Sequence, residues 1–156
     1  MRVRLIAVGQ RLPKWVEAGV AEYLPRLPRA WRFELVEVPV ASRGANANLA
    51  RLKDAEGDNM LRAIPAGAEV IAFDERGESL DTLQWAGAVQ EWQRSGRDIA
   101  LLIGGPDGLA PACLARAQRR WSLSKLTLPH GLARVFVLEQ LYRAVSVVAG
   151  HPYHRA

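Results

Sequence analysis

The sequence is poor in the residues that staple or metallate a small fold. It contains one cysteine, Cys113, which rules out an internal disulfide and a thiolate-based metal site. Cys113 sits in an alanine-rich stretch of helical character and reads as a buried, inert thiol. There are three histidines. His151 and His154 lie in the C-terminal tail with no neighbouring carboxylate or thiol, so no metal site is expected. No apolar run approaches the roughly twenty residues that a membrane-spanning helix needs. The apolar run of the N-terminal stretch, Met1 to Gly9, is too short for a secretory signal. A cytoplasmic protein with no membrane partner is the expectation. Low-complexity tracts, internal repeats and linker-like composition are also missing, so residues 1–156 are read as a single domain.

Two nucleotide-binding signatures are absent as well. No glycine-rich loop ends in Gly-Lys-Ser/Thr, and no G-x-G-x-x-G follows a strand. Lysine is scarce, with three among 21 basic residues, and the net charge of +5 is therefore carried by arginine. Arginine suits phosphate and carboxylate recognition, so the charge permits an RNA partner without requiring one.

What is present is a chain that alternates strand and helix five times. Val3 to Val8 forms an apolar strand closed by Gly9. Pro13 opens a helix to about Leu24, halted by Pro25 and Pro28. Phe33 to Val38 alternates apolar and acidic residues, as a less buried strand does. After a polar loop, Asn46 or Asn48 caps a helix to about Ile64. Val70 to Phe73 is a third strand, ending in a turn at Asp74-Glu75-Arg76-Gly77. Asp81 or Thr82 caps a helix to about Arg94, which Ser95-Gly96 ends. Ile99 to Ile103 is apolar without a break, the signature of a strand buried on both faces. Pro111 begins a helix to about Arg120, with Arg116, Arg119 and Arg120 on its last turns. Trp121 to Leu128 is a fifth strand or a ligand-facing loop. The last helix runs from about Leu132 to Ala149. This pattern predicts an α/β domain with a mainly parallel sheet of five or six strands and helices on both faces.

The central strand runs into Gly104-Gly105-Pro106-Asp107-Gly108. Ligands of open α/β sheets bind beyond the carboxyl ends of the strands, so this turn is the first candidate site. A tight connection with no ligand is the competing reading. Pro106 lacks a backbone donor, which argues against a phosphate cradle. Two polar clusters remain. Glu139 and Arg143 are four apart on the last helix and can pair, near His130 and Arg134 in sequence. The tail, His151 to Arg155, is either a frayed terminus or a group of aromatic and cationic side chains that grips a base and a phosphate.

Several motifs occur together and in order: Leu101 to Gly108; Trp121 to Ser124 with Leu126 to His130; Glu139 to Ala144; and His151 to Arg155. Together they resemble the ribosomal RNA large subunit methyltransferase H family over essentially the whole chain. The resemblance implies a SPOUT-type fold, an α/β sheet with a C-terminal trefoil knot, one of the exceptions to unknotted topology. It implies a homodimer that transfers a methyl group from S-adenosyl-L-methionine to N3 of a pseudouridine in 23S rRNA on the assembled ribosome. It also assigns cofactor binding to Phe73, Gly104, Leu123, Ser124, Lys125, Leu126, Thr127 and Leu128. Glu139, Arg143, Tyr153, His154 and Arg155 become the catalytic candidates, with His130 as an alternative base. Phe73 and Lys125 depart from the family pattern, where leucine and a small residue are expected. A non-catalytic ribosome-binding factor, a tRNA methyltransferase and a nucleotide-binding regulatory domain are the rival readings.

Overall fold

The structure, a computed structural model, describes residues 1–42, 44 and 48–155. The proposed cap Asn46, and Arg43 of the polar loop, lie outside the described residues. Five strands form one sheet: β1 (Val3–Val8), β2 (Glu34–Val38), β3 (Glu69–Ser79), β4 (Ile99–Ile103) and β5 (Arg119–Ser122). All pair in parallel, in the order β2-β1-β4-β3-β5. The helices are α1 (Lys14–Tyr23), α2 (Leu49–Ala63), α3 (Thr82–Ser95), α4 (Pro111–Arg116) and α5 (His130–Ala149). Two short 3-10 turns, Leu24–Arg26 and Arg29–Trp31, join α1 to β2.

The order follows from hydrophobicity. β4 is wholly buried, as an uninterrupted apolar run requires, and lies between β1 and β3. β2, with its alternating acidic residues, takes one edge and stays half exposed. Side chains alternate across the sheet, so Leu5, Ile71, Ile99 and Leu101 enter one core with α1, α3 and α5, while Ile6, Val70, Ala100 and Leu102 enter the other with α2 and α4. The first core holds a run of aromatics: Trp31 meets Trp92 edge-on, Trp92 stacks on Trp121 at 6.0 Å, and Phe73 stacks on Trp85 at 5.8 Å.

Caps set the helix starts. Asn48 Oδ1 accepts from the amides of Ala50 and Arg51, and Asp81 forms a reciprocal capping box with Gln84. Gly96 and Gly150 end α3 and α5 in the left-handed conformation.

Two sequence expectations need correction. β3 does not stop at Phe73. It pairs with Trp121 at Phe73 and again at Glu78, so residues 74–77 form a bulge inside a longer strand. A Cβ on Gly77 would lie 2.7 Å from the Arg120 carbonyl, so glycine lets the bulge close on β5. The helix from Pro111 ends at Arg116, and Arg119 and Arg120 belong to β5. Edge pairing with β3 captures those residues, whose charged side chains gave no strand signal.

Trp121 is 1% exposed and touches Trp85, Trp92 and Phe73. Trp121→Ala should cost about 3–5 kcal/mol, as large-to-small changes in packed cores do. A urea denaturation midpoint would check this.

Candidate functional site

The bulge of β3 and the carboxyl ends of β4 and β5 converge on a cleft of about 770 Å³. Three segments wall it: Phe73 to Arg76, Ile103 to Leu109, and Leu123, Ser124 and Leu126 to His130, with Ala133 behind them. The glycine turn is built by contact. A Cβ on Gly104 would lie 2.5 Å from the Gly108 carbonyl carbon, so only glycine allows the turn to fold back on itself. Gly108 itself has φ +82°, and its amide donates to the Gly105 carbonyl.

Seven of the eight expected cofactor-binding residues line this cleft: Phe73, Gly104, Leu123, Ser124, Leu126, Thr127 and Leu128. Lys125 does not; it is exposed. The segment around it is held by Ser122 Oγ donating to the Ser124 carbonyl and by Ser124 Oγ accepting from the Leu126 amide. Among the described residues, no hydrogen bond engages the amides of Thr127 or Leu128. These are two polar edges left open beside an apolar wall. Asp74, Glu75 and Asp107 add carboxylates to the lining.

His130 lines the cleft at the start of α5. Burial, and then the positive charge of Arg134, hold its imidazole below the usual histidine range, with Glu56 acting weakly the other way. The imidazole is therefore neutral at pH 7. Arg134, one turn on, is 2% exposed. Its guanidinium donates to Glu37 Oε2 at 2.6 Å and to the Gly9 carbonyl at 3.2 Å.

The catalytic candidates gather elsewhere. Arg143 Nε donates to Glu139 Oε1 at 2.7 Å, and the Tyr153 hydroxyl donates to Glu139 Oε2 at 2.6 Å. The Arg143 guanidinium lies 4.8 Å from the centroid of the Tyr153 ring, which also meets Tyr142 edge-on. His154 Nδ1 is buried without a hydrogen-bond partner. Arg155 Nε donates to the Pro152 carbonyl. The tail is thus folded against α5. It stands away from the cleft: Arg143 lies thirteen positions along α5 from His130, about 20 Å at the helical rise.

Asp107 lies in the glycine turn that the sequence singled out, whereas Asp74, Glu75 and Arg76 were read only as a turn, because turns carry polar residues whether or not they face a ligand. Glu56, 3% exposed, is a buried carboxylate behind the glycine turn that the sequence did not reveal. It accepts from the Ala41 amide at 2.9 Å beside Gly105. No group of residues able to hold a metal is found among the described residues, nor is any helix long and apolar enough to cross a membrane.

Residues 1–154 match the family described as predicted SPOUT methyltransferases. The chain is 54% identical to the ribosomal RNA large subunit methyltransferase H of Thioalkalivibrio sulfidiphilus (strain HL-EbGR7) over 155 residues, 99% of each chain. It is 51% identical to the protein of that name from Marinomonas sp. (strain MWYL1), covering 99% of this chain and 100% of the relative. A probable methyltransferase from Bordetella pertussis Tohama I superposes with a TM-score of 0.62 at 20% identity, over 92% of this chain and 94% of that one. A probable methylase family protein from Haemophilus influenzae Rd KW20 gives 0.57 at 12% identity, over 99% and 70%. At those identities the likeness is one of fold. The chain belongs to the SPOUT methyltransferase family and, within it, to the group of the ribosomal RNA large subunit methyltransferase H proteins.

Tyr153 offers a direct check on the tail geometry. Its hydrogen bond to Glu139, then burial, raise its phenol from 10.0 to about 12. The neutral phenol is the form the fold prefers, so its contribution to stability is complete below pH 10 and is lost as pH rises to about 12. Glu139→Gln should bring the Tyr153 midpoint back toward 10, read by ultraviolet titration of tyrosinate.

Proposed function

We propose that this protein methylates N3 of a pseudouridine in 23S rRNA, with S-adenosyl-L-methionine as methyl donor, acting as a cytoplasmic homodimer on the assembled ribosome. The observation that carries the reading is the cleft: the β3 bulge and two strand-end segments, an apolar wall, open backbone amides and lining carboxylates. S-adenosylmethionine fits that donor set. The amides of Thr127 and Leu128 suit the polar edge of an adenine, with Phe73, Leu123 and Leu126 suited to its faces. Asp74, Glu75 and Asp107 match a ligand that carries positive charge. Gly104 permits close approach to the backbone. Lys125 takes part through its main chain. When bound, S-adenosylmethionine supplies an electrophilic methyl group.

The work left to the protein is to hold the base and manage one proton, since the N3–H of pseudouridine must be lost. Glu139 is already engaged by Arg143 and Tyr153, which makes it an orienting carboxylate first and a base second. Tyr153 stays protonated and presents its ring to the target base. Arg143 and Arg155 stabilise the negative charge of the deprotonated imide and its phosphates. His154, with Nδ1 unpartnered, and neutral His130 are the alternative proton acceptors. Positioning supplies much of the acceleration.

Because the tail and the cleft are far apart along α5, the C-terminal segment of one subunit is proposed to complete the cleft of the other. The surface supports this: Leu132 and Phe136, one turn apart on α5, and Trp15 on α1 remain exposed. The trefoil knot is part of the same proposal, and what supports it is that the 104–109 and 123–129 segments line one cleft.

The decisive test is transfer of labelled methyl from S-adenosylmethionine to ribosomes lacking the modification, with free 23S rRNA and tRNA in parallel and mass mapping of the product. Label at N3 of one pseudouridine on ribosomes alone is the expected result. Cofactor binding without label on any RNA would overturn the substrate, and absence of both would favour a non-catalytic ribosome factor. Gly104→Ala should weaken cofactor binding by at least ~10-fold, about 1.4 kcal/mol, by forcing the turn open; isothermal titration would measure it. Phe136→Glu should give monomers in sedimentation and abolish transfer.

A further inference from the structure

The cations of this protein are divided by whether they have partners. At the amino ends of the strands most are neutralised or capped. Arg2 pairs with Asp98, Arg4 with Glu34, and Arg119 with Glu69 and Glu91. Arg97 and Arg116 donate to the carbonyls of Gly67 and Ala68. Among the described residues at that end, Arg29, Arg32 and Arg94 have no side-chain partner.

The carboxyl ends, where the cleft opens, are different. Arg11 and Lys14 follow β1, Arg51 and Lys53 open α2, Arg76 lies in the β3 bulge, and Lys125 follows β5. None of these six side chains makes an ion pair or hydrogen bond among the described residues, and all are exposed except the half-buried Lys53. The segregation is not a consequence of composition, since arginines and carboxylates occur along the whole chain. Of the carboxylates near this end, Asp74, Glu75 and Asp107 line the cleft and Glu17 of α1 and Asp54 of α2 do not; five of the six cations are outside it.

Arg11 adds a second observation. Its backbone is left-handed, φ +52°, a conformation that costs a residue with a Cβ. Arg32 is also left-handed, but there the conformation ends a 3-10 turn, with its amide donating to Arg29. At Arg11 no capping bond accounts for it.

We propose that these six side chains form a phosphate-binding rim that grips the RNA backbone flanking the target nucleotide. The inference rests on the methyltransferase reading and adds where the RNA runs: across the carboxyl ends of β1 and β5, the β3 bulge and the start of α2. Phosphate contacts fix register without reading sequence. Each also releases counterions, so each contributes to the salt dependence of binding. A rim of this kind accounts for how one α/β sheet holds a large RNA over a small cleft.

The test measures binding of the intact protein to ribosomes lacking the modification, against salt concentration and independently of methyl transfer. Arg11→Ala/Lys14→Ala should reduce the slope of log affinity against log salt by about 2, and Arg51→Ala/Lys53→Ala by a similar amount, at about one unit per phosphate contact. In turnover, both should raise KM for ribosomes and leave kcat unchanged, as loss of uniform binding does. The control Arg29→Ala/Arg94→Ala, with two equally unpartnered cations at the other end, should leave the slope as it is. Equal slopes for rim and control variants would overturn the proposal. So would weaker binding at an unchanged slope, which would mean that this face docks on a ribosomal protein instead. If the wild type binds with a steep slope that the rim variants flatten, yet transfers no methyl group, the rim stands and the methyltransferase reading fails.

Discussion

One buried guanidinium fixes where the last helix lies. Arg134 bridges from α5 to the Gly9 carbonyl at the end of β1 and to Glu37 in β2, so one side chain ties α5 to two strands. A charge this deep is tolerable only while its partners hold it; removing one partner of such a pair costs several kcal/mol. The contact sets the start of α5 over the carboxyl edge of the sheet. That in turn brings Pro129 and His130 into the cleft and gives the 123–128 segment its path. Burial, and then the same charge, holds the His130 imidazole below the usual histidine range. Because α5 is one unbroken helix, the position of its first turn also decides where Glu139 and Arg143 stand.

Much of this was legible in the sequence, for definable reasons. β1 and β4 carry a hydrophobic signal strong enough to be read alone, and Asn48, Asp81, Gly96 and Pro111 mark helix ends by mechanisms that act within four residues. The residues of the cleft were legible through several motifs in register rather than through any local pattern. What stayed hidden depends on contacts remote in sequence. Arg119 and Arg120 become strand only because β3 is beside them, and Asp74 to Gly77 continue that strand because Gly77 lets the backbone close on β5. The exposure of Lys125 and the burial of Glu56 depend on packing that no window of sequence contains.

Charge and shape divide the work of the molecule. Apolar walls, open amides and carboxylates are inside the cleft, and unpartnered cations stand around it. On the proposed reading, a small cationic ligand and a polyanion have separate places along the carboxyl edge of the sheet. The tail cluster is a third place, closed on itself through Glu139, which satisfies Arg143 and Tyr153 together and keeps both preorganised.

The aromatic run has an optical consequence. Four of the five tryptophans (Trp31, Trp85, Trp92 and Trp121) are packed in a single cluster that reaches the cleft through Phe73, while Trp15 stands alone on α1, 57% exposed. Rings 5 to 7 Å apart exchange excitation energy, so light absorbed anywhere in the cluster is shared within it. Emission from the buried set is expected at shorter wavelength than that of an indole in water, and the stacking of Phe73 on Trp85 links it to the cleft wall. Emission from Trp15 is that of an indole in water and responds to whatever covers the outer face of α1. The protein carries two separable fluorophores, one reporting on the cleft wall and the other on the surface beside α5.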